Sequence, residues 1–256
     1  SSVFCGCLGG AGGGGGSVLI TDGGAFLDGG LGGTLTAAEV ALLARGRGGV
    51  SSGSGATGQG GDVSLDASDI NVQIGTALRL FASGIGGDAV SGDGGAALGG
   101  NAEVGILSGQ AGTLDVQGIA EVVARAIGGA TSDTQGVGGA AQGGLAIAQS
   151  DAGGSVTFGS AALTADGQGG AGGTGGNGTG GAAVLQSDGP GSTLTISQDV
   201  ANASQLANNQ NAILNALGVG GAATAVNGFG GDGQGGTVSV KETLGVDLVL
   251  PAESDA

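Results

Sequence analysis

The sequence predicts an all-β fold: a β-solenoid of about five to six three-strand coils, with Gly-rich, polyglycine-type loops stacked at one corner. Three observations predict it. A segment of alternating apolar residues recurs about every 40 residues. A Gly-rich stretch follows each copy. Large side chains are almost absent, with only 2% aromatic residues and no Trp, Tyr, Met or His in 256 residues, which suits a thin core.

The repeat is plainest in two ungapped copies, "GGTLTAAEVALLARGRGG" from Gly32 and "GGSVTFGSAALTADGQGG" from Gly153. Its first apolar positions are Leu35, Val72, Leu114, Val156, Leu194 and Val238, spaced by 37, 42, 42, 38 and 44 residues. Each copy reads as three short strands. The first is "LAIAQSDA" or "AAVLQSDGP", the second "GSVTF" or "STLTI", the third "AALTAD" or "EVALLAR". Strict alternation points one set of side chains inward. In the second strand these are the six residues above with Ala37, Ile74, Val116, Phe158, Ile196 and Val240 two places on. In the third they are Val40, Leu42, Ala44 and their equivalents.

After the third strand every copy leaves through a loop such as "GGAGGTGGNGTGG". Unperiodic glycine implies disorder, but this stretch recurs at one place in each coil. Without Cβ atoms such chains can pack closely and bond sideways, so a stacked layer is expected rather than projecting flaps. Residues 1–31 form a Gly-rich segment with a degenerate first coil, 32–250 the repeats, and 251–256 a tail. Leu206, Ile213 and Leu217 fall on one face of a short helical insertion at 205–217.

The net charge is −16, from 21 acidic and 5 basic residues. Such a balance disfavours nucleic acid, whose phosphates need basic patches, and disfavours anionic membrane surfaces. There is no apolar run of transmembrane length. Beginning at Ser1, the chain reads as processed or partial. Cys5 and Cys7, in "FCGCL", make a poor zinc site without two further ligands; a local disulfide, free thiols and bridges to another chain remain open.

Enzyme signatures are missing. Without His there is no Ser-His-Asp or Cys-His arrangement, and no phosphate-binding lysine loop occurs. The reading is therefore non-enzymatic, without a cofactor. Asp151 and Asp188 sit in matching "QSD" turns of successive coils, where they make ordinary Asx turns or, alternatively, a Ca²⁺ site. Outward residues of the second strand form a ladder containing Thr34, Thr36, Thr113, Thr157, Thr193, Thr195 and Thr237, interrupted by Asn, Gln and Asp. It suits exposed strands and is the candidate face for ice or for glycans. An outward apolar stripe on the third strand, Leu43, Phe81 and Val123, needs a cover. The Gly-rich layer is the first candidate to supply it and a neighbouring protomer the second. Beside it, Arg125 is expected to meet Asp166.

The coils built on "GG-[ST]-[VL]-x-[VFI]" and joined by Gly-rich segments resemble the Gly-rich β-solenoid passengers of bacterial surface proteins, of the filamentous-haemagglutinin and autotransporter adhesin type, over about residues 15–250. The loops are more weakly similar to the polyglycine segments of PE-PGRS and snow-flea antifreeze proteins. The resemblance implies secretion, display at the cell surface, and adhesion to host surface or matrix glycans or fibre formation. Neither end of the solenoid carries a polar cap, so end-to-end pairing with another copy is expected. Its residues would be Val18 and Ile20 in the first coil and Val238, Val240, Val246, Leu248 and Leu250 in the last.

Overall fold

The computed structural model describes residues 33–107, 111–151, 153–197 and 212–242, with the backbone of Ser2–Leu8, Val18–Ile20 and Asp247–Val249. The described residues are all-β, with no helix. Every strand pairing is parallel and joins equivalent segments of successive repeats. The chain thus curls through three sheets and returns to each about 40 residues later.

The short sheet has six strands in chain order: Val18–Ile20, Val63–Asp66, Asn101–Gly105, Leu145–Ser150, Ala182–Ser187 and Thr237–Glu242. The long sheet is built on Thr34–Arg47, Asn71–Phe81, Thr113–Val123 and Ser155–Thr164. It continues into Thr193–Ile196 and Ala212–Asn215, and ends with Ser2–Leu8 on one side and Asp247–Val249 on the other. A third sheet has five dipeptide strands from Gly58–Gln59 to Gly233–Gln234, all at the returning ends of Gly-rich segments.

In four copies, from Thr34–Arg47 to Ser155–Thr164, the second and third strands expected from sequence are one continuous strand; in the next they are the separate strands Thr193–Ile196 and Ala212–Asn215. In Thr34–Arg47 the inward set changes parity, from Leu35 and Ala37 to Val40 and Leu42, while Asn71–Phe81 keeps it, from Val72 and Ile74 to Leu78 and Leu80, because a bulge gives it one residue more. Gly75 and Thr76 stand opposite Ala38 alone, and the register shifts between Ala37 and Glu39. An extra residue bends a strand without ending it, and Thr76 Oγ1 donates to the Ala38 carbonyl oxygen across the bend (2.7 Å).

Side chains of the short and long sheets meet in one core. Phe158, Leu42, Leu65, Ile74, Leu80, Leu114 and Leu185 are fully buried, each contributing roughly 1.5–3 kcal/mol on leaving water. Alanines such as Ala44, Ala82, Ala124 and Ala165 fill the narrow side beside the glycine layer.

The Gly-rich segments form a hydrogen-bonded layer. From Gly231 the amides donate in an unbroken relay to the carbonyl oxygens of Gly221, Gly176, Gly170, Gly139, Gly129, Gly95, Gly87 and Ala56, each at 2.8–2.9 Å. The steps alternate between the two arms of one segment and the arms of neighbouring repeats. Close approach demands glycine here: a Cβ on Gly139 would lie 1.9 Å from the Gly95 oxygen. The relay satisfies backbone groups that a buried loop would otherwise leave unpaired, which offsets the ordering entropy of the glycines.

Two expectations about elements change. Ala212–Asn215, within the expected helix, is a strand paired with Ala161–Thr164; Leu214 stands beside Leu163 and continues its apolar column. Residues 205–211 lie outside the described residues. The last repeat is also shifted. Thr237–Glu242 belongs to the short sheet, paired with Ala182–Ser187, and the partner of Leu194 is Leu248 rather than Val238.

Candidate assembly interface

The short sheet ends in an open face. Its inward columns run Val63, Ala102, Ala146, Ala183 and Leu65, Val104, Ala148, Leu185, none more than 1% exposed. The next residues in register are Val238 and Val240, and they are 51% and 49% exposed. They occupy core positions, but no further strand is stacked over them among the described residues. Leu217, Val219 and Phe229 of the same last repeat are also exposed.

The backbone is open at the same place. Thr237 N donates to the Gly181 oxygen (2.8 Å). Donor direction alternates along a parallel strand, so the N–H groups of Val238 and Val240 face the free edge. The opposite edge of this sheet is Val18–Ile20, paired with Val63–Leu65. The two segments expected to join copies are therefore the two edges of one parallel sheet. Leu248 lies in the last strand of the long sheet, while Val246 and Leu250 lie outside the described residues.

The outward ladder is in register for six of its seven threonines. Thr34, Asn71, Thr113, Ser155 and Thr193 align, as do Thr36, Gln73, Asp115, Thr157 and Thr195. Thr237 is not part of it, because its strand sits beside Ala182 in the short sheet. Several ladder groups bond one another: Thr113 Oγ1 donates to Asn71 Oδ1 (2.6 Å) and Thr193 Oγ1 to Ser155 Oγ (3.1 Å).

Asp151 and Asp188 are brought to matching positions, since the Ser150–Ser187 pair precedes them. Asp188 Oδ1 accepts from Gly189 N (2.9 Å), and Asp188 N donates to the Ser150 oxygen (2.8 Å). Both are partly buried turn residues. Among the described residues no group of three or more His, Cys, Asp or Glu could hold a metal ion. Cys5 and Cys7 stand on a strand beside Leu42 and Ala44; their side chains lie outside the described residues.

The outward stripe is not covered by the glycine layer, whose contacts are with the alanine side of the core: a Cβ on Gly60 would meet the Ala82 carbonyl and one on Gly143 that of Ala165. Leu43, Phe81 and Val123 are partly exposed. Arg125 donates to Gln168 Oε1 (2.9 Å) instead of meeting Asp166, and Asp166 Oδ1 accepts from Leu217 N (2.8 Å). Arg79 forms ion pairs with Glu39 and Glu121, and the Arg45 guanidinium lies 5.2 Å from the Phe81 ring centre.

Sequence reasoning missed the acidic ties of the loop edge. Asp88 Oδ1 accepts from Ala130 N and Asp93 Oδ1 from Val137 N (both 2.8 Å). Asp133 accepts from Gly92 N (3.0 Å) and Gln135 N (2.9 Å). The Gly92 amide, and secondly that of Gln135, holds the Asp133 carboxyl below the usual carboxylate range. The available signal was that two successive Gly-rich loops carry Asp and no basic residue. No described helix is long and apolar enough to cross a membrane. In comparisons with known proteins, no family model, no curated protein and no solved structure matches the chain.

Proposed function

We propose that the chain is a β-solenoid that acts as a non-enzymatic structural protein, stacking end to end into an extracellular fibre or forming a segment of a large surface adhesin. The observation that carries this reading is the half-exposed pair Val238 and Val240, which continues columns otherwise sealed from water. A second copy offering its Val18–Ile20 edge would extend the short sheet in parallel and bury both valines. The in-register return of each strand after about 40 residues supports the solenoid, and the resemblance to Gly-rich surface passengers supports display outside the cell. The Thr ladder as an ice- or glycan-binding face is the weaker reading, since its side chains bond one another along the column.

Negative-stain electron microscopy of the purified chain tests this. Filaments are expected for the wild type, and isolated short rods for Val238→Asp/Val240→Asp, which places charge at the junction. Short rods for both proteins would overturn end-to-end growth.

A further inference from the structure

The uncovered outward face of the long sheet has its own chemistry. Of the chain's five basic residues, Arg45, Arg47, Arg79 and Arg125 all sit in its strands or the bend that follows. Arg79 is spent on two glutamates. Arg45 and Arg125 have no carboxylate partner among the described residues. They flank a groove of about 210 Å³ floored by Phe81, Ile85, Val123 and Ile127. In a chain of net charge −16, this is a concentrated cationic, apolar concavity.

The same protein carries an exposed edge of complementary charge. The edge of the glycine layer exposes Val50, Val90 and Val137 at 64%, 62% and 43%. Beside them stand Asp88, Asp93 and Asp133, and the described loop residues 50–57, 88–94 and 130–137 contain no Lys or Arg. Valines would meet the apolar floor and carboxylates the arginines. Both features are built from the same repeats: Arg45 and Arg125 lie two layers apart, about 9.6 Å, with Ser83 between them, and Asp88 and Asp133 lie on successive loops. The chain's own glycine arm does not fill the groove. Ile85 and Asp88 are three residues apart on that arm, so one twofold axis would seat each copy's edge in the other's groove.

We propose that this groove is a lateral docking site for a second copy of the chain, occupied by the acidic, valine-bearing edge of the partner's glycine layer. This contact is separate from the end-to-end junction and does not require it. It would join stacks side by side. Ion pairs at its rim make it salt-sensitive, because exposed charges are largely screened beyond a few ångströms at high ionic strength.

Sedimentation velocity of Val238→Asp/Val240→Asp, blocked at its end, reads the lateral contact alone. A dimer is expected at about 50 mM sodium chloride, with affinity falling by about tenfold or more at about 1 M. Arg45→Glu/Arg125→Glu added to this background should be monomeric at both salts. Mixing that protein with an end-blocked Asp88→Arg/Asp93→Arg chain should restore a dimer, because both contacts are then charge-matched. A monomer in the end-blocked protein at both salts, or a dimer indifferent to the arginine reversals, would overturn the proposal. The wild-type chain at the same two salts gives a readout free of substitutions at the end: particle width should fall with salt while particle length does not. Width insensitive to salt counts against the lateral contact, and length insensitive to the Val238 and Val240 substitutions counts against the junction.

Discussion

The aliphatic side of the molecule and its glycine side keep the same register by different physics. Around Phe158 and Leu80, order comes from side chains leaving water. Around Gly95 and Gly139 there are no side chains to bury, and order comes from a relay of amide-to-carbonyl bonds between closely spaced backbones. The first kind of packing has some tolerance, since a neighbouring side chain can adjust. The second has almost none, because what a new Cβ meets is backbone. One methyl group should therefore cost more in the glycine layer than a change of shape costs in the core.

Breaking either region at its most tightly packed point has the largest expected effect. Gly139→Val would drive a side chain into the Gly95 and Gly129 backbones and should lower stability by about 3 kcal/mol or more, read as a loss of denaturant midpoint. Phe158→Ala opens a cavity in the core and should cost roughly 3–5 kcal/mol, with the glycine-layer amides keeping their relative protection in hydrogen exchange. Leu80→Met nearly conserves volume and should cost less than about 1.5 kcal/mol. If Gly139→Ala were tolerated better than Leu80→Met, the distinction between the two regions would fail.

The smallest effect lies at the loop edge. The Asp133 carboxyl is held below its ordinary range by the Gly92 and Gln135 amides. Its folded-state value is thus lower than in the unfolded chain. The contribution is present above the ordinary carboxylate range and is lost as pH falls through the depressed value. The Gly92 amide should lose exchange protection in that acid window, and Asp133→Asn should remove the pH dependence.

The repeat and its inward columns were legible because alternation survives in every copy: Val72 and Ile74, or Leu78 and Leu80, read the same on paper and in the fold. The bulge that sets Gly75 and Thr76 against Ala38 was not, since the change of inward parity between Ala37 and Val40 looks like a strand end. The last repeat was misplaced because "GTVSV" alternates as well as "STLTI". The discriminating signal was position: Thr237 directly follows "QGG", as Leu145 does, and Leu145–Ser150 is a strand of the short sheet. At Ala212–Asn215, apolar residues at helical spacing competed with lateral pairing to Ala161–Thr164, and the pairing won. The open core at Val238 and the Arg45–Arg125 groove depend on knowing which strand lies over which, information that no single repeat contains.

The central claim is that the stack ends with core positions left open for another copy. Amide hydrogen exchange at Val238 and Val240, followed against protein concentration, tests it most directly. The account predicts fast exchange in dilute solution and protection that rises with concentration, while Val184 and Leu185, already paired on both sides, stay protected throughout. Exchange at Val238 and Val240 that is independent of concentration, up to the solubility limit, would contradict it.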